Sequence, residues 1–285
     1  MAIQTQQAAT SQLPGVFARF FETKTARDAE GTMAFFAQDM VCYIDATLGW
    51  EFDSHAALNG AMQEAMPAWA PGARSYTSKI LAGEESALVY MVDTPEMFGS
   101  ELRILGAVDF ADGKIVRWVD YWDSTAYDTD LYHQFRTPAE TFPTDLGDAR
   151  LENRAHPTLI KAATVLHQGF AAGDPAAAAA AMHADVVLVD MALRTQVIGR
   201  IEVTRYLERV LGQVPYGCAS TLRHVVGGAD GGGFEWTAGP EAEHLAGITA
   251  LELDADGLVT AITSVYDSRQ IDPARKRSLV EASVG

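Results

Sequence analysis

Asp112-Gly113-Lys114-Ile115-Val116-Arg117-Trp118-Val119-Asp120-Tyr121-Trp122-Asp123 reads as a tight turn followed by a strand that presents an acid and aromatics together. Asp112-Gly113 is a hairpin signal, and the β-branched and aromatic residues beyond it repeat with period two. On a strand, Trp118, Asp120 and Trp122 then share one face while Val119, Tyr121 and Asp123 share the other. An acid between two tryptophans admits two readings here. It is either a solvated edge-strand carboxylate beside core aromatics, as most lone aspartates are, or an acid held in an apolar cavity.

Working outward from this strand, residues 14 to 37 carry two helical patterns. Pro14 suits a first turn before the stripe Val16, Phe17, Phe20 and Phe21, and Asp28 suits an N-cap before Met33, Phe35 and Phe36. The strand Met40-Val41-Cys42-Tyr43-Ile44-Asp45 ends on an acid, and Ser54 caps a third helix that Pro67 and Pro71-Gly72 close. The period then becomes two, with strands expected at 75 to 82, 87 to 94, 101 to 110 and 114 to 123.

Beyond residues 124 to 156, where prolines and scattered charge show no clear period, the same order restarts. Helices are expected near 157 to 172, 174 to 183 and 200 to 213. A strand, Asp185 to Asp190, again ends on an acid, and four strands follow around 219 to 226, 233 to 238, 245 to 254 and 258 to 267. At a spacing of 144 residues, Asp112-Gly113 falls on Asp256-Gly257, Asp123-Ser124 on Asp267-Ser268 and Asp128 on Asp272. Helix-helix-strand-helix-four strands, written twice, implies α+β architecture in two tandem domains that each curl a sheet around helices. The expected boundaries are 1–135, a linker over 136–156, and 157–285.

Composition narrows the function classes. The 285 residues carry a net charge of −17, and no basic stripe offsets it, so nucleic acid and anionic lipid are expected to be repelled. The N-terminal segment lacks a signal-peptide pattern and no apolar run approaches a bilayer span, so a soluble cytoplasmic protein is expected. Cys42 and Cys218 lie one in each half without a partnering motif and read as small buried hydrophobes. The glycines between 227 and 233 lie between strands and suit a loose hairpin. The sequence contains no metal-ligand spacing, nucleophile elbow, Walker loop or dinucleotide fingerprint.

The element order, the strand ending in Asp45 and the last strand Trp118-Val119-Asp120-Tyr121-Trp122-Asp123 resemble the nuclear transport factor 2-like superfamily. Its enzymes include ketosteroid isomerase, limonene epoxide hydrolase, scytalone dehydratase and the SnoaL-like polyketide cyclases. The resemblance covers each half once and implies a cone-shaped α+β barrel with a curved mixed sheet. Asp120 falls where the epoxide hydrolase has the first Asp of Trp-Arg-Asp-Tyr-Phe-Asp, and Tyr43-Ile44-Asp45 resembles its Tyr-x-Asn. Its Arg-x-Asp would fall on Met91-Val92-Asp93, which lacks the arginine. Asp45 also sits where ketosteroid isomerase keeps its general base.

The resemblance implies Asp45 as general base, Asp120 as general acid or oxyanion partner, Tyr43 as a donor and Asp93 as a third member. Two carboxyls in an apolar cavity divide such labour because burial and mutual repulsion raise their pKa values. Trp118, Trp122, Phe17 and Phe21 would line the substrate's cavity, and Tyr266 would do so in the second half. There Asp190 takes the place of Asp45 and Ser264 that of Asp120. His224 and Glu235 are candidates to complete a second site with Asp190, against the readings of a core histidine and a solvent-facing glutamate.

The function expected is a cofactor-independent cyclase or isomerase using aspartate acid/base chemistry on a hydrophobic small molecule, such as a polyketide-type intermediate of secondary metabolism. Epoxide hydrolysis or epoxide-opening cyclisation, and a non-catalytic ligand-binding or assembly role, are the alternatives. The halves are expected to form an intramolecular pseudo-dimer that needs no further partner, because a linker raises the effective concentration of one half for the other.

Overall fold

A computed structural model describes residues 12–242 and 244–284. The first half runs α1 (Leu13–Ala26), α2 (Ala29–Met33), β1 (Cys42–Asp45), β2 (Trp50–Phe52), α3 (His55–Ala65), β3 (Ser75–Ala82), β4 (Ser86–Asp93), α4 (Pro95–Phe98), β5 (Leu102–Ala111), β6 (Lys114–Trp122) and α5 (Thr129–Phe135). After two short 3-10 turns, the second half runs α6 (Pro157–Ala172), α7 (Pro175–Ala179), β7 (Met182–Asp190), β8 (Thr195–Ile198), α8 (Arg200–Val210), β9 (Thr221–Gly228), β10 (Gly231–Thr237), β11 (Ala246–Leu253), β12 (Val259–Tyr266) and α9 (Pro273–Glu281). The short β2 and β8 and the helices α4, α5 and α9 are additions to the elements expected from sequence. A three-residue strand is too brief to show a period.

Each half builds one six-stranded mixed sheet with the same strand order, β2-β1-β6-β5-β4-β3 and β8-β7-β12-β11-β10-β9. In each, one parallel pair, β1 with β6 and β7 with β12, interrupts an antiparallel ladder. The hairpin that delivers β6 has positive φ at both Asp112 (50°) and Gly113 (73°), as a type I′ turn requires.

The period-two split of β6 separates two cores. Trp118 and Trp122 face the helices and join Phe17, Phe20, Phe36 and Leu58 in an aromatic-rich cluster. Burying each of these large side chains contributes about 1.5–3 kcal/mol. Val119 and Tyr121 face the other way and pack with Leu88 and Leu105 against Val226, Ile248 and Val265 of the second sheet. The two sheets therefore pack face to face, and β6 is buried on both sides. Among the described residues, no helix is long and apolar enough to cross a membrane.

The repeated Asp-Ser pairs meet across the pseudo-twofold. Asp123 accepts from the backbone N–H and hydroxyl of Ser268 at 3.0 and 2.8 Å, and Asp267 accepts from those of Ser124 at 3.3 and 2.6 Å. Arg269 reinforces this clamp from Ser124 and Tyr127 carbonyls, with its guanidinium 4.7 Å from the Tyr132 ring centre.

Candidate active site

Asp45 and Asp120 are the last residue of β1 and its register partner on β6, adjacent across the parallel ladder. A parallel neighbour at the usual ~4.8 Å strand spacing puts both carboxyls on the helix-facing side. Asp120 accepts from the Tyr43 hydroxyl on one oxygen and the Trp118 indole N–H on the other, both at 2.6 Å. Asp45 accepts from the Trp122 indole at 2.9 Å and from the backbone N–H of Thr47 and Leu48 at 2.9 and 2.8 Å. The two tryptophans flanking Asp120 in sequence thus each hold one carboxylate.

Burial raises both acids, and the donated hydrogen bonds only partly offset it. Asp45 is pushed up to about 6. Asp120 is pushed up to about 7, with the Asp45 charge adding to the effect of burial. Burial and the Asp120 charge hold the Tyr43 phenol well above its ordinary value, so it stays a donor. Asp120 is 4 % exposed, whereas Tyr43 and Asp45 keep partial solvent access. Gly106 makes room for the pair. A Cβ there would come within 3.0 Å of the Trp118 indole nitrogen and 3.1 Å of an Asp120 oxygen.

Trp118, Phe17 and Phe21 belong to the buried aromatic cluster beside the pair, with Phe17 and Phe21 ring centres 5.9 and 6.4 Å from that of Trp118. Trp122 closes the opposite side against Tyr127. Asp93 does not join the pair. Its carboxylate takes Lys24 from α1 at 3.1 Å and the Ser75 hydroxyl, in a buried ion pair. Lys24 gave no signal in sequence because it completes the apolar stripe of α1.

The second half repeats the geometry of Asp45 but not that of Asp120. Asp190 accepts from Leu193 N–H at 2.8 Å and the Tyr266 hydroxyl at 3.0 Å, as Asp45 does from Leu48 and Trp122. Burial raises it to about 6. Opposite it, Ser264 replaces Asp120 and Thr249 replaces Gly106, and their hydroxyls bond each other at 2.9 Å. Asp190 and Tyr266 are both 0 % exposed, so this position is sealed.

His224 and Glu235 lie away from Asp190, on the face of their sheet that meets the first half. Ladder registers explain the misplacement. Ser264 matches Asp120 at a spacing of 144, but Phe234 matches Val89 at 145 through the chain of partners Asp120–Gly106–Val89 and Ser264–Thr249–Phe234. Glu235 is therefore the counterpart of Tyr90, and a one-residue offset moves a side chain to the opposite face. Glu235 takes the Arg117 guanidinium at 2.8 Å on both oxygens and the Tyr121 hydroxyl at 2.7 Å. His224 Nε2 lies 2.9 Å from Asp109, which Arg117 also bridges at 3.1 Å. Burial alone would lower His224, and the Asp109 hydrogen bond and charge override it, so it stands above its ordinary value. Arg117, visible on the Val119 face of β6, was the signal for this cluster. Among the described residues, no group of three or more His, Cys, Asp or Glu side chains could hold a metal ion.

Residues 163–262 match the family model of the SnoaL-like domain. The second half carries a SnoaL-like domain. The first half has the same strand order around its own helices, so the chain is a tandem of one α+β fold. Among solved structures, a steroid delta-isomerase from Pseudomonas aeruginosa is 16 % identical, covers 46 % of this chain and 93 % of its own, and has a TM-score of 0.36. A protein with a ketosteroid isomerase-like fold from Catenulispora acidiphila is 14 % identical over 47 % of this chain and 100 % of its own, at 0.36. An NTF2-like protein from Cytophaga hutchinsonii is 8 % identical over 41 % and 96 %, at 0.34. No curated protein matches the sequence significantly.

Proposed function

We propose that the first half is a cofactor-independent isomerase or cyclase that moves protons on a hydrophobic small molecule, of the polyketide-intermediate type. Asp45 is the base and Asp120, with Tyr43, is the acid that protonates or hydrogen-bonds the developing oxyanion. The observation that carries this reading is the pair itself, two register-matched carboxyls raised to about 6 and about 7 beside one buried aromatic cluster. Near pH 6.5 the lower one is mostly ionised and the higher one mostly protonated, the state a concerted proton shuttle requires. Partial access to Asp45 and Tyr43 favours this half over the sealed Asp190.

Epoxide opening is supported less well. The place where the epoxide hydrolases keep an arginine is held by Met91, whose methyl lies against Gly106, so no cation stands there to orient a carboxyl. The test is turnover of a panel of β-keto, enone and epoxide substrates by wild type and Asp45→Asn. Isomerised or cyclised enones lost with Asp45→Asn support the proposal, diols from epoxides would move the assignment to hydrolysis, and turnover indifferent to Asp45 would refute acid/base chemistry here.

A further inference from the structure

The turn that follows each acid requires one residue in the left-handed region. In the first half Asp45 pairs with Trp50, and Gly49 supplies that conformation at φ 77°. In the second half Asp190 pairs with Thr195, and the matching residue is Arg194, at φ 58°. Glycine enters this region freely, whereas a side chain there is strained.

What covers each turn explains the difference. A Cβ on Gly49 would come within 2.5 Å of the Phe142 ring, because the linker runs over that side of the interface. Phe142, Pro143, Thr144 and Leu146 form one wall of a cavity of about 380 Å³, together with Ala46, Leu245 and Ala246. The linker exists once, so among the described residues the pseudo-symmetric groove has no such cover. There a cleft of about 630 Å³ opens between the halves, lined by Met191, Val265 and Ala126 with Arg103, Glu101, Asp123 and Arg194. Met191 is the counterpart of Ala46, and Arg103 that of Ala246.

The charged groups of this cleft are paired except one. Arg103 holds Glu101 at 2.9 Å, and Asp123 is held by Ser268 at 2.8 and 3.0 Å. Arg194 has no ion-pair or hydrogen-bond partner among the described residues. The same side carries the exposed Lys79–Glu252 pair, whose counterpart under the linker is the buried His224–Asp109 pair. We infer that the uncovered interdomain cleft is a second ligand site, taking a small amphipathic acid whose oxyanion meets Arg194 and whose apolar body lies on Met191, Val265 and Ala126. A cleft of this size suits a ligand of drug-like dimensions, and a guanidinium matches carboxylate and phosphate alike.

Calorimetric titration of the full chain with phenylacetate, phenyl phosphate, inorganic phosphate and benzyl alcohol tests this. Phenylacetate, phenyl phosphate or both should bind, and the tighter of the two identifies the source of the oxyanion. Arg194→Gly should weaken that binding by about tenfold or more while leaving benzyl alcohol unaffected. Because glycine relieves the turn, the variant should melt at or above the wild-type temperature and retain turnover at Asp45 and Asp120. Equal affinity in wild type and Arg194→Gly would overturn the inference. So would no binding of either aromatic acid at about 10 mM, or inorganic phosphate binding as tightly as they do.

Discussion

Asp120→Asn removes the titratable proton from the centre of the pair while keeping the shape of the side chain. The amide oxygen still accepts from the Trp118 indole, and the amide nitrogen turns toward the Tyr43 oxygen, which can accept. The aromatic cluster survives and the acid is lost. One general acid corresponds to about 10²–10⁴-fold in turnover. The pH profile carries a sharper signature. In wild type, Asp45 must be ionised and Asp120 protonated, so kcat/KM peaks between about 6 and about 7. With those limbs it falls roughly 20-fold between pH 6.5 and pH 8.5. The variant should lose the alkaline limb and keep the acidic one.

The same substitution should stabilise the fold at high pH. Asp120 has a folded value raised above its unfolded 3.8, so its contribution is fully present below about pH 4 and is lost as pH rises through about 7. The shift corresponds to a loss on the order of 4 kcal/mol. Asparagine has no such dependence, so its melting temperature should exceed wild type at pH 8, with the excess shrinking toward pH 4. Scanning calorimetry and initial rates across pH check both halves of the argument. Undiminished turnover with an unchanged alkaline limb, or a melting temperature below wild type at pH 8, would refute it.

Asp190→Asn should leave turnover unchanged and raise the melting temperature at pH 8, since Asp190 is raised to about 6 in a sealed position; abolished turnover would transfer the chemistry to the second half. Gly106→Ala should overpack against Trp118 and Asp120, costing about 1–3 kcal/mol by denaturant titration and lowering kcat more than it raises KM. Arg117→Met leaves the buried Glu235 carboxylate with only the Tyr121 hydroxyl and Asp109 with only His224, and urea unfolding should show a loss of about 3–5 kcal/mol. Halves expressed as 1–135 and 157–285 should recover solubility only when co-expressed, because separation exposes the apolar faces around Leu105 and Ile248; light scattering that finds two stable, non-associating monomers would contradict this.

Much of the fold was legible because two signals agreed. Period two on β6 separated Trp118, Asp120 and Trp122 from Val119 and Tyr121, and the structure uses the first face for the helix core and the second for the sheet interface. The spacing of 144 placed Asp123-Ser124 on Asp267-Ser268, the residues that clamp the halves together. Asp45 and Asp120 were paired through the family resemblance, and the parallel register of β1 on β6 sets them side by side. The failures came from register and from distance along the chain. At a constant spacing of 144 Glu235 would fall on the place of Met91, but the ladders drift by a residue between strands and carry Glu235 to the far face. Arg117 finds Glu235 118 positions away, and Lys24 finds Asp93 69 away; periodicity carries no information about such partners.

Covalent fusion explains why the halves differ where they do. In a homodimer every interface residue occurs on both sides of the twofold axis, so a buried charge cluster must occur twice, with its desolvation cost. Here Arg117, Glu235, Asp109 and His224 form one cluster, and the mirror positions hold Ala261, Tyr90, Glu252 and Lys79. The linker lies on the cluster side, where the Leu146 carbonyl accepts at 2.7 Å from Arg117 Nε, the one guanidinium nitrogen that the two acids leave unbonded. The opposite side lacks that carbonyl, so an arginine there would be under-satisfied, and the ion pair that remains, Lys79–Glu252, is solvated. The same release from symmetry separates the two interiors. The first half keeps two carboxyls and a glycine beside them, an arrangement that costs stability above neutral pH, while the second exchanges one carboxyl and the glycine for bonded hydroxyls. A chain with one costly site and one closed, well-satisfied core can hold the strained pair rigid without destabilising both halves.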